Sequence, residues 1–168
     1  SEAVLLYDIG IGIDAKNPLL WANRGRALVV LGRYNEALQS YNQALALDPS
    51  LAATAKDKGD LLKNFGYYDD ALAAYTLAFN TSPDNLEFAL AKADLEKETG
   101  RYPEAFASYE RILAGIQDNK PALSGKADVL AGLGRYGEAI SIYDRVIASS
   151  PDDAELLAHR AYALNALG

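Results

Sequence analysis

The sequence repeats itself at one fixed interval. Gly32, Gly66, Gly100, Gly134 and Gly168 stand 34 apart, as do Tyr34, Tyr68, Tyr102 and Tyr136, and Ala3, Ala37, Ala71, Ala105 and Ala139. A further column holds Tyr7, Tyr41, Tyr75, Tyr109 and Tyr143, so nine of the eleven tyrosines are placed by the period. Pro49, Pro83 and Pro151 form another column, which fails at Gln117 and Ala15. A unit of this size cannot bury its own apolar face, and neighbouring units must stack to make a continuous core.

Each unit reads as two helices. Ala55, Gly59, Leu62 and Phe65 are spaced along one face of a 3.6-residue helix, matched by Trp21, Gly25, Leu28 and Leu31 one period earlier. Gly66 falls where that helix must end, because glycine takes the left-handed conformation that closes a last turn. Tyr68, Ala71, Tyr75 and Ala78 give a second apolar stripe, which stops at Ser82-Pro83. Two helices joined by so few residues are antiparallel neighbours. Small residues at Gly59, Ala71 and Ala78 let the backbones approach while tyrosines fill the space beside them.

The run from Trp21 through Gly25, Leu28, Gly32-Arg33-Tyr34, Glu36-Ala37, Tyr41, Ala44-Leu45 and Asp48-Pro49 resembles the tetratricopeptide repeat, and the resemblance covers the whole chain. It implies an all-α fold, a right-handed superhelix or solenoid of antiparallel helix pairs. It further implies an inner groove, lined by the first helix of each pair, that binds a peptide segment or helix.

Complete units run 18–51, 52–85, 86–119 and 120–153 in one array over 1–168. A second helix alone (1–17) precedes them and a first helix alone (154–168) follows. Both ends therefore read as cut from a longer array, with Val4, Leu5 and Ile11 at one end and Leu157, Leu164 and Leu167 at the other lacking a partner. The corresponding expectation is a structural spacer or self-associating scaffold, the last helix of one molecule pairing head to tail with the first helix of the next in a contact that does not close.

Charge narrows the partners. The 168 residues carry 16 basic and 23 acidic side chains, a net charge of -7, which repels a phosphate backbone and argues against nucleic acid. No apolar run approaches the roughly 20 residues of a membrane span. Without cysteine there is no disulfide framework or thiol nucleophile, and the compartment is left open with the cytoplasm slightly favoured. A basic or apolar protein or peptide ligand fits the acidic surface best, with no cofactor.

The groove candidates occupy the opposite face of each first helix. The first unit offers Arg26, Val29 and Val30, and the second Lys56, Asp57, Asp60, Lys63 and Asn64. The third offers Glu87, Leu90, Asp94, Lys97 and Glu98, the fourth Asp128, and the last helix Glu155, His159 and Tyr162. Asp60, Asp94 and Asp128 are 34 apart and read either as a ladder of carboxylates for a cationic peptide or as solvated acids paired with neighbours such as Lys56. No third group splits their acidities, so neither reading makes them a catalytic pair and the chain is read as no enzyme. Family members that clamp acidic peptide tails use lysine, arginine and asparagine here. This chain has Ala22, Arg26, Asp57, Glu87 and Ala91 instead, so that mode does not carry over.

A basic column, Arg24, Lys58, Lys92, Lys126 and Arg160, reads as stems covering the edge of the core with charges reaching solvent or a neighbouring carboxylate. An anion track is the other reading of that column. His159 stands without a metal-ligand pattern around it. Gly10-Ile11-Gly12-Ile13 lacks the strand and third glycine of a dinucleotide loop. Glu96 and Thr99 replace apolar residues, so the third unit is expected to pack least tightly, with any hinge near 96–119.

Overall fold

The computed structural model describes residues 1–168 and is entirely helical. Its elements are α1 (Glu2–Ile13), α2 (Pro18–Val30), α3 (Tyr34–Leu47), α4 (Ala52–Asn64), α5 (Tyr68–Thr81), α6 (Leu86–Glu98), α7 (Tyr102–Gly115), α8 (Lys120–Gly132), α9 (Tyr136–Ser149) and α10 (Ala154–Leu167). Even-numbered helices are the first of each pair and odd-numbered helices the second.

Local chemistry sets these boundaries. Gly32, Gly66, Gly100 and Gly134 adopt φ between 71° and 78°, the left-handed turn expected of them after each first helix. The first helices start on short polar caps. Asn17 accepts from the Leu19 amide, Asn85 from Glu87, Asn119 from Ala122 and Asp153 from Leu156. Leu51 stands in that column before α4 and supplies no side-chain cap.

Packing divides the chain into two compact units, 1–88 and 89–168. In the first, Val4, Leu28, Ala37, Tyr41 and Leu61 form one core cluster and Ala52, Ala55, Ala78 and Phe88 another. A Cβ on Gly25 would lie 2.5 Å from the Tyr41 ring, and one on Gly59 2.6 Å from Tyr75, so these glycines admit the tyrosines. In the second unit the core joins Leu123, Ala127, Leu130, Tyr143, Val146 and Leu156. Burial raises the phenols of Tyr41, Tyr109 and Tyr143 above their ordinary range, Tyr41 to about 12.

Two readings of the apolar stripes are corrected. Trp21 is only half-buried, because its indole N–H reaches out to the Ala15 carbonyl at 2.9 Å. Tyr34, Tyr68 and Phe65 are exposed at helix ends, where the stripe has turned off the core. Ala22, at a position compared with the clamp for acidic peptide tails, is buried. Glu96 is accommodated through polar partners. It is 4% exposed, accepts from Ser108 at 2.6 Å and is paired with Lys92. Thr99 turns its hydroxyl to the Leu95 carbonyl at 2.7 Å. The glycine-containing stretch of α1 continues as helix to Ile13.

Candidate functional site

The repeat imposes fixed offsets on contacts between elements. Three second-helix tyrosines each reach back to the first-helix aspartate at an offset of 15. Tyr75 Oη donates to Asp60 at 2.7 Å, Tyr109 to Asp94 at 2.5 Å and Tyr143 to Asp128 at 2.8 Å. The three aspartates are therefore acceptors for buried phenols as well as members of the first-helix face. In the first repeat the same column holds Arg26, and Tyr41 has no such carboxylate.

Contacts between successive first helices recur at an offset of 31. Arg26 Nε donates to Asp57 at 2.6 Å, Lys56 meets Glu87 at 2.7 Å, and Lys97 meets Asp128 at 2.7 Å. His159 Nδ1 also lies 2.9 Å from Asp128. Lys56 additionally bonds Asp60 at 2.9 Å, and its bonds to Glu87 and Asp60 raise its ammonium to about 12.

In the first unit these residues frame a cavity of about 480 Å³. Its polar wall is Arg26, Asp57, Asp60 and Asn64, and its apolar surface Val29, Tyr34, Leu61 and Phe65, with Tyr41 beneath. Tyr34 and Phe65 meet edge to face, ring centroids 5.3 Å apart. Val30 is 86% exposed and does not line this cavity, and Lys63 is half-buried on the same helix as Asn64. The second unit has a smaller cavity of about 190 Å³, where Lys97, Asp128, Glu155 and His159 converge. Leu90 is half-buried, Glu98 is exposed, and Tyr162 is 64% exposed with its ring edge-on to Tyr136 at 6.4 Å.

Tyr34, Tyr41, Leu61 and Phe65 are absent from the candidates named on sequence grounds. A signal for two of them exists, since Tyr34 and Phe65 stand at the same offset as the ion pairs between successive first helices beside them.

Repeated helix pairs whose first helices present a polar-rimmed apolar cavity define a helical-repeat interaction module. Three tetratricopeptide repeat family models match residues 18–51, 56–122 and 96–161, and the chain belongs to the tetratricopeptide repeat family. It is similar over 52 residues, at 40% identity, to the TPR repeat-containing thioredoxin TTL4 of Arabidopsis thaliana, matching 31% of this chain and 8% of that protein's length. Solved structures share the fold. A tetratricopeptide repeat protein from Parabacteroides merdae superposes with a TM-score of 0.81 at 24% identity, over 96% of this chain and 64% of that one. YrrB, described as a TPR protein with an unusual peptide-binding site, gives 0.80 at 18% identity over 94% and 81%. MamA 41-end from Desulfovibrio magneticus RS-1 gives 0.78 at 16% identity over 88% and 83%. No helix is long and apolar enough to cross a membrane.

Proposed function

We propose that this interaction module takes an extended peptide on the first-helix face of the 1–88 unit, and that it acts by binding and not by catalysis. The observation that carries this is the cavity between α2 and α4, where the Tyr34–Phe65 pair stands exposed beside the Arg26–Asp57 bridge. The exposed rings supply a rigid apolar contact area, the kind of anchor that dominates binding energy. Asp57 and Asp60 already hold Arg26 and Lys56, so a cationic ligand group competes with internal partners and adds selectivity more than affinity. An apolar side chain flanked by lysine or arginine is the best match. The peptide-binding site named for YrrB agrees with this reading at the level of the fold.

A labelled peptide array varied in charge and hydrophobicity, read at low and moderate salt, tests it. Apolar peptides with basic flanks are expected to bind, with affinity falling about tenfold in Phe65→Ala, as for loss of an aromatic anchor. Asp57→Asn should chiefly flatten the salt dependence. Binding that is indifferent to Phe65→Ala, or absent under all conditions, overturns the reading.

A second reading rests on a different observation. α1 exposes Leu5, Leu6, Ile9 and Ile13, the last 83% exposed, and α10 exposes Leu157, Leu164 and Leu167. Pairing of α10 of one copy with α1 of another would cover both rows. Sedimentation is expected to show concentration-dependent growth that Ile9→Asp or Leu164→Asp abolishes, and a strict monomer at high concentration counts against it.

A further inference from the structure

The basic column behaves as a set of filled sockets with one exception. Arg24 bonds Asp8, sixteen residues earlier, at 2.7 Å and Ser40, sixteen residues later, at 2.8 Å. Lys126 bonds Glu110 at 3.0 Å and Arg160 bonds Asp144 at 2.5 Å, again sixteen earlier. Lys92 takes Ser108 at 3.1 Å together with Glu96. Lys58 finds Asn42 at the earlier position and Ala74 at the later one, and no carboxylate lies within ion-pair distance of it.

The same substitutions open a space around that ammonium. Lys58 lines a cavity of about 390 Å³ between α3 and α5, on the second-helix side of the 1–88 unit, walled by Leu38, Leu45, Leu62 and Leu77. The corresponding place in the 89–168 unit shows what completes it. There Phe106 stands for Leu38, Ile142 for Ala74 and Glu110 for Asn42. Phe106 and Ile142 pack onto the core cluster, and Lys126 sits 4.8 Å over the Phe106 ring while bonded to Glu110. Relative to that completed version, the first unit lacks aromatic volume and one negative charge, and both deficits fall at one place.

We propose that this cavity is a second docking site, separate from the first-helix face, for a polypeptide segment presenting an aromatic side chain and a carboxylate one helical turn apart. The aromatic ring would lie against the leucine walls and the carboxylate would close on Lys58, supplying the pair that Phe106 and Glu110 supply internally. Phenylalanine and glutamate four residues apart on a helix share one face, which sets the spacing. Asp70, exposed on the same cavity, limits the ligand to a single acid, since a second would meet its charge.

The test is a capped, amidated helical peptide carrying phenylalanine and a glutamate four residues later, titrated into the full chain with leucine methyl groups observed by NMR. Saturable shifts at Leu38, Leu45, Leu62 and Leu77 are expected, with affinity reduced about tenfold by Lys58→Gln or by glutamine in the peptide, the effect of losing one close charge pair. The double variant Asn42→Glu/Ala74→Ile builds in two of the three side chains of the second unit, supplying the missing charge internally, and is expected to stay folded by circular dichroism and to lose the response. Asp70→Asn should tighten binding. Equal affinity for the glutamine peptide, no methyl shifts, or shifts confined to the Tyr34–Phe65 cavity would each overturn the proposal. The last outcome would place the peptide on the first-helix face instead, whereas failure of that face under Phe65→Ala leaves this site unaffected.

Discussion

Replacing Lys92 by methionine is expected to destabilise the 89–168 unit by about 3–5 kcal/mol, the range for stripping one partner from a buried ion pair. The column containing Glu96 holds leucine at Leu28, Leu62 and Leu130, so its carboxylate sits where an apolar side chain belongs. Lys92 and Ser108 are what make it tolerable there. Without Lys92, the hydroxyl of Ser108 is the remaining partner of a charge shielded from water. The double variant Lys92→Met/Glu96→Leu removes the charge together with its partner and should return stability to within about 1 kcal/mol of the original, or above it. Amide exchange across α6 and α7 reads the effect in the unit where it arises. A loss below about 1 kcal/mol for Lys92→Met would show that water reaches Glu96 and that the pair is not energetically buried.

Tyr109→Ala is expected to cost about 3–5 kcal/mol, as for other large aromatic truncations in a core. The ring is fully buried, its hydroxyl reaches Asp94, and Gly125 of α8 comes so close that a Cβ there would lie 2.6 Å from Cε1. Tyr109→Phe keeps the volume and should cost about 1–3 kcal/mol, the worth of a hydrogen bond to a charged group. Gly125→Ala alone is expected to destabilise by crowding the ring, by about 1–3 kcal/mol. Placed on Tyr109→Ala, the same change fills part of the void and should recover stability. A double-mutant cycle in chemical denaturation therefore gives a coupling of favourable sign, and additive losses would mean that ring and glycine do not share one space.

The periodicity makes the helix pairs, their terminal glycines and the all-α class legible, because spacing of apolar residues and the conformational freedom of glycine act locally. The side-chain partners are less legible, since they depend on how one helix meets the next. The aspartates at 60, 94 and 128 and the tyrosines at 75, 109 and 143 are both visible as columns, yet nothing in either column alone says that they bond to each other. Glu96 looks like a loss of packing within its own column, and its compensation comes from Lys92 one turn before it and Ser108 on α7. Phe65 shares the spacing of a buried stripe, but it is the last residue before the turn at Gly66, where the helix axis carries the side chain off the core and onto the cavity. Lys58 becomes informative only beside the other members of its column, which have partners where it has none.

The fixed offsets have a consequence for heredity. Bonds at a constant offset join positions by phase within the period, so an unequal exchange that adds or removes one whole period restores every phase, wherever in the repeat the crossover falls. A change that falls short of a whole period by a single residue would bring glycine terminators, tyrosines and their acceptors out of step at once. Length variation in such a gene is therefore expected to be filtered in whole multiples of the repeat, while a single position such as Lys58 can stand without the partner its column mates have and leave the phase intact.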